Sequence, residues 1–83
     1  MEIAGILKIK DVLHAGTEPA HYLCACLNEL KHGQWESTGD FLRHYPRAGY
    51  SGKNEFRIPV FEENSLFVQL NFPLNHCRII RFV

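Results

Sequence analysis

The chain has 83 residues, 46% of them apolar, and its nine basic and nine acidic side chains cancel. That length makes one domain, residues 1–83, burying roughly 60% of its unfolded surface, and the apolar content excludes disorder. The charge balance excludes a polycation, so any grip on nucleic acid has to come from a local patch.

No apolar run approaches the ~20 residues that span a bilayer. The start of the chain carries Glu2 and no cleavage pattern, so no signal peptide is read and a cytoplasmic protein without a membrane partner is expected. Cys24, Cys26 and Cys77 are an odd set, which points to reduced, mostly buried thiols.

Residues 1–16 carry mixed signals. Ile3, Leu7 and Ile9 alternate loosely as in a strand, whereas Ile6, Val12 and Leu13 suit a short helix ended by Gly16. A brief strand over 2–4, then a helix to about Ala15, is expected. The clearest helix is 18–32. Thr17 can cap it and Pro19 fits its first turn. Ala20, Leu23, Cys24, Leu27 and Leu30 fall on one stripe. Lys31 and His32 suit its negative end, and Gly33 stops it. A second helix over 37–45 opens on Ser37 with Asp40 three residues on, a capping box with Asp for Glu. Phe41, Leu42 and Tyr45 form its apolar side, and Pro46 closes it.

After a loop over 47–53, three strands are predicted at 54–61, 65–72 and 77–83. In the middle one Leu66, Val68, Leu70 and Phe72 alternate with Ser65, Phe67, Gln69 and Asn71, so one face is buried. The connections, Glu62-Glu63-Asn64 and Pro73-Leu74-Asn75-His76, suit antiparallel hairpins. Pro59 predicts an edge or a bulge. The fold class is α+β, N-terminal helices packed on a small antiparallel sheet.

His21, Cys24 and Cys26 invite a metal reading, but no second ligand pair stands at suitable spacing, so no metal and no cofactor is expected. The segment Gly49-Tyr50-Ser51-Gly52-Lys53 is too short for a P-loop and reads as a turn. Arg43, Arg47, Lys53, Arg57, Arg78 and Arg81 leave the C-terminal half basic, interleaved with His44, Tyr45, Tyr50 and His76. Such a mixture holds single-stranded RNA by charge and stacking. A solvated sheet face diluted by Glu55, Glu62 and Glu63 is the plainer alternative.

Trp35-x-Ser37-x-x-Asp40, then Tyr45-x-x-Ala48, Phe56-x-Ile58, a turn with Asn64, Asn71-Phe72 and Arg78-Ile79-Ile80-Arg81-Phe82 together resemble the HigB-like toxins. These are small ribonucleases of the RelE fold, usually paired with an antitoxin. The upstream helix is compatible, so the resemblance covers most of the chain. The family places an arginine in the second long strand, where this chain reads Asn64-Ser65-Leu66-Phe67-Val68. It also continues into a Thr-His pair and a Tyr, where this sequence stops at Val83. By this resemblance, a fixed cation at the phosphate and the proton-moving groups are missing. One such lost donor costs ~100- to 1000-fold.

The resemblance therefore implies a degenerate toxin scaffold that binds a protein or ribonucleoprotein complex, with RNA a further partner, and inhibits it without cutting. A phage or mobile-element inhibitor of a host defence complex would suit it. Its binding residues would be Arg43, Arg47, Lys53, Arg57, Arg78 and Arg81, and the last strand would lie exposed. The alternative is a working, ribosome-dependent mRNA interferase with a cognate antitoxin, using His76 as acid or base and Lys53 or Arg57 as phosphate cation. A regulatory subunit with a protein partner is the third class.

Overall fold

The computed structural model describes all 83 residues. In chain order it contains β1 (Glu2–Ala4), a 3-10 turn (Ile6–Ile9), α1 (Lys10–Leu13), α2 (Glu18–His32), α3 (Thr38–His44), β2 (Gly49–Tyr50), β3 (Glu55–Phe61), β4 (Asn64–Asn71) and β5 (His76–Phe82). The expected α+β class holds. The helix expected to reach Ala15 is divided between the 3-10 turn and α1, and two residues of the expected loop form β2.

Local chemistry sets the helix ends. The Thr17 hydroxyl accepts the Ala20 N–H at 3.4 Å, and Pro19 sits in the first turn of α2. At the other end the Met1 ammonium donates to the carbonyls of Leu30, Lys31 and Gly33 at 3.2, 2.8 and 2.9 Å. A cation thus lies where the helix dipole is negative. Gly33 is required by close approach, because a Cβ there would meet the Trp35 ring. The Ser37 hydroxyl caps α3 by accepting the Asp40 N–H at 3.1 Å, and Asp40 Oδ2 accepts the Glu36 N–H at 3.1 Å.

The sheet order is β1-β5-β4-β3-β2. Strands β2 to β5 pair antiparallel, but β1 runs parallel to β5, with Ile3 opposite Cys77. The expected antiparallel sheet is therefore mixed. A parallel pair needs a long crossover, and the helices between β1 and the meander supply it. This pairing also corrects the expectation of an exposed last strand. Strand β5 is internal, with β1 on one side from His76 to Arg78 and β4 on the other. Beyond Arg78 the turn after β1 lies so close that a Cβ on Gly5 would come within 2.9 Å of the Ile79 carbonyl oxygen. Pro59 lies past the end of β2, where no outer strand needs its missing donor, and the β3–β4 register shifts there.

The helices cover one face of the sheet. Phe56, Ile58, Leu66, Val68, Cys77 and Ile79 point into that layer, against Leu23, Leu27 and Leu30 of α2. Phe41 of α3 is fully buried between Trp35, Tyr45 and Phe56, at centroid distances of 5.0, 4.8 and 4.9 Å. Cys24 does not join the buried stripe as expected. It is exposed, while Cys26 is half-buried and Cys77 buried. The buried arc of α2 runs through Ala20, Leu23, Leu27 and Leu30. Cys24, one residue beyond Leu23, is rotated about 100° off that residue.

Candidate functional site

The opposite face of the sheet carries no helix. Strand parity sends Arg57 of β3, Ser65, Phe67 and Gln69 of β4, and Arg78 of β5 to this side. Cross-strand register then aligns them in rows. Arg57, Phe67 and Arg81 form one row, and Glu55, Gln69 and Arg78 the next.

Arg81 reaches that row through an irregularity. On a regular strand, residues three apart point to opposite faces, so Arg78 and Arg81 would be separated. Here Gln69 faces Arg78, Val68 faces Ile79 and Phe67 faces Arg81, so Ile80 is an extra residue in β5. This bulge returns Arg81 to the face that carries Arg78.

Each arginine is held by a neutral neighbour. Arg57 donates to the Ser65 hydroxyl at 3.2 Å, and Gly49 of β2 stands across from it. Arg78 donates to Gln69 Oε1 at 2.7 Å, and Gln69 in turn donates to the Lys53 carbonyl at 3.3 Å. The Arg81 guanidinium carbon lies 4.1 Å from the Phe67 ring centroid. The ion pairs of the molecule are Arg43–Asp40 at 3.5 Å and His44–Glu29 at 3.8 Å. None involves this face, where Glu55 opposite Gln69 is the one acid in these two rows.

Beside Arg78 the face runs into a polar concavity of about 360 Å³ lined by Asn54, Gln69, Leu70, Asn71, His76 and Arg78. Of the residues singled out in the sequence, Arg57, Arg78 and Arg81 therefore converge and His76 adjoins them. Lys53 contributes its carbonyl at the margin and does not line the concavity. Arg43 is elsewhere. Its helix packs through Phe41 on Phe56, on the covered face, and its 81% exposed side chain pairs with Asp40. Arg47 lies at the β3 edge with His44, Tyr45, Pro46, Ile58 and Pro59. The orienting residues Ser65, Phe67 and Gln69 were not singled out as site residues. Phe67 carried a signal, as the one aromatic in the polar phase of β4.

The groups with displaced pKa lie on the helix side. Burial, then the nearby Cys26, pushes the Cys77 thiol up to about 12. Burial, then Glu29, raises Cys26 to about 11. Tyr45 is raised by burial and by donating to Glu29 at 3.0 Å. All three keep their protons at neutral pH, so none is a poised nucleophile or base. No group of three or more His, Cys, Asp or Glu side chains is placed to hold a metal ion, and no helix is long and apolar enough to cross a membrane. The open face is thus equipped to hold an anion against a flat, partly aromatic surface. No protein-family model matches the chain, and no curated protein matches its sequence.

Proposed function

We propose that the chain is a binding protein: a HigB-like scaffold whose β4 lacks the family's arginine, which docks its open sheet face on a ribonucleoprotein complex and inhibits it. The observation that carries this reading is the trio Arg57, Arg78 and Arg81, each oriented by a neutral partner and none paired with a carboxylate. A guanidinium tied to an internal acid is largely spent on structure. One aligned by a hydroxyl, an amide or a ring keeps its charge and its fork of donors for an external anion. The likeness to HigB-like toxins supplies the class of partner, and an inhibitor carried by a phage or mobile element suits it.

A second reading, the working mRNA interferase with its antitoxin, is favoured by one feature. His76 shares the polar concavity with Arg78, which brings a proton-moving imidazole near a phosphate-binding cation.

Ribosomes carrying a message, as a ribonucleoprotein of known composition, separate the two. The chain is expected to co-sediment with them and leave the message intact. The triple variant Arg57→Glu, Arg78→Glu, Arg81→Glu is expected to stay in the supernatant. Cleavage above the buffer control, lost in His76→Ala, replaces the first reading with the second. Undiminished co-sedimentation of the triple variant overturns the binding face.

A further inference from the structure

We infer that two copies of this chain pair about a two-fold axis through an apolar groove at the β1 edge of the sheet, the Leu7 side chain of each copy seated in the groove of the other. The groove is built on the helix side, apart from the three arginines, so the pairing goes beyond the binding reading and does not rest on it.

The patch carries both halves of an interface. Ile3 of β1, Ile6 of the 3-10 turn, Leu13 of α1 and Leu27 of α2 line a concavity of about 450 Å³. A concavity of this size and lining takes an apolar guest. Next to Ile6 in the same turn, Leu7 is 82% exposed, more than any other large hydrophobic residue of the chain. Leu7 does not line the groove beside it. The surface therefore holds a knob next to a hole. A two-fold axis turns the knob of each copy toward the hole of the other and fills both at once. Such a contact closes at two copies and leaves no knob over to propagate a fibre.

The polar margin selects the same occupant. Glu2 and Lys31 both line the groove, both are exposed, and neither is in an ion pair. An acid and a base on one margin meet a partner of single sign with one attraction and one repulsion. A second copy turned by the axis brings Lys31 to Glu2 and Glu2 to Lys31, so both charges are matched. Lys8 and Lys10, close to Leu7 in the chain, are what an anionic lipid surface would use instead.

Sedimentation equilibrium of the full chain, from micromolar to millimolar concentration, tests this. The parent chain is expected to approach twice the chain mass as concentration rises. Leu7→Glu should weaken the pairing about thirtyfold or more. Leu74→Glu changes a residue that is 74% exposed and lies outside the groove, and it should leave the pairing unchanged. Glu2→Lys and Lys31→Glu should each stay monomeric alone and pair when mixed, because each brings the charge that the other lacks. Leu7, Glu2 and Lys31 are all exposed, so these variants keep the fold. Cys24 is exposed and lines the groove, whereas Cys26 is half-buried and Cys77 buried. Iodoacetamide labelling of Cys24 should therefore slow as the concentration of the parent chain rises, and should not slow in Leu7→Glu. A parent chain that stays monomeric overturns the pairing. A dimer that survives Leu7→Glu, or charge variants that stay apart when mixed, overturns this interface. Monomers that float with vesicles of equal parts phosphatidylcholine and phosphatidylglycerol, and cease to do so in Leu7→Glu, overturn the second copy in favour of a lipid surface. None of these outcomes bears on co-sedimentation with ribosomes, so this inference and the binding reading fail separately.

Discussion

The two faces of this sheet are made by the same strands and obey opposite rules. On the covered face, Phe56, Val68, Cys77 and Ile79 are shut from water, and each is held by what presses on it. On the open face, Arg57, Arg78 and Arg81 are held by single polar or ring contacts and stay in solvent. Burial makes the first set interdependent, because removing one side chain leaves a cavity that its neighbours line. Exposure and screening make the second set nearly independent in stability. The faces should therefore separate by experiment, with stability on one and recognition on the other.

The sharpest way to break that separation is Phe41→Ala. Deleting this buried ring should cost about 3–5 kcal/mol, against a total of roughly 4–12 kcal/mol for a chain of this size. A urea titration should show a midpoint far below that of the parent chain. Arg57→Gln should leave the urea midpoint nearly unchanged, and a large shift there would show that the open face carries the fold.

Alkali probes the covered face next. The folded chain holds the Cys26 and Cys77 protons up to about 11 and about 12, above the ordinary thiol value of 9.0. Below the ordinary value both states are protonated and the full stability is present. As pH rises past it, the unfolded chain loses these protons first, so stability falls until the folded groups titrate. The urea midpoint should decline above about pH 9, and Cys77→Ala should flatten that decline.

Retention on a heparin column sharpens the contrast within the basic residues. Arg57→Gln, Arg78→Gln and Arg81→Gln should each elute at lower salt, in line with a loss of about 0.7 in slope per charge. Arg43→Gln, on the helix side and paired with Asp40, should elute nearly with the parent chain. Equal shifts for all four would mean that net charge, and no particular face, governs binding.

Removing one isoleucine from the Ile79-Ile80 pair is a gentler change than it looks. The pairs Phe67 with Arg81 and Leu66 with Phe82 survive in a strand without the bulge. The variant should melt cooperatively and keep its heparin retention. Unfolding would show that the bulge bears on stability as well as on the placement of Arg81. The smallest effect is expected at the β3–β4 turn. Glu62 occupies a left-handed conformation with φ of 49°, so Glu62→Gly should gain about 0.5–1 kcal/mol in a thermal melt without weakening retention.

Much of this architecture is written locally. Thr17, Pro19 and Gly33 bound α2, Ser37 opens α3, and the alternation from Ser65 to Phe72 marks β4 to within one residue. These signals are legible because caps, turns and periodicity act between residues a few positions apart. A stripe drawn at spacings of three and four takes in Cys24, but it is wider than the arc that α2 buries. Arg43 and Arg47 share the basic character of the C-terminal half with Arg57, Arg78 and Arg81, but the chain folds them to the helix side and the sheet edge.

The residue pattern alone settled which side chains are charged, which strands alternate and where the long helix begins and ends. The pairing of distant strands settled the rest: β1 lies parallel to β5, and Arg78 and Arg81 share a face. Register is a relation between strands far apart in the chain, and one unpaired residue, Ile80, reverses the direction of every side chain after it.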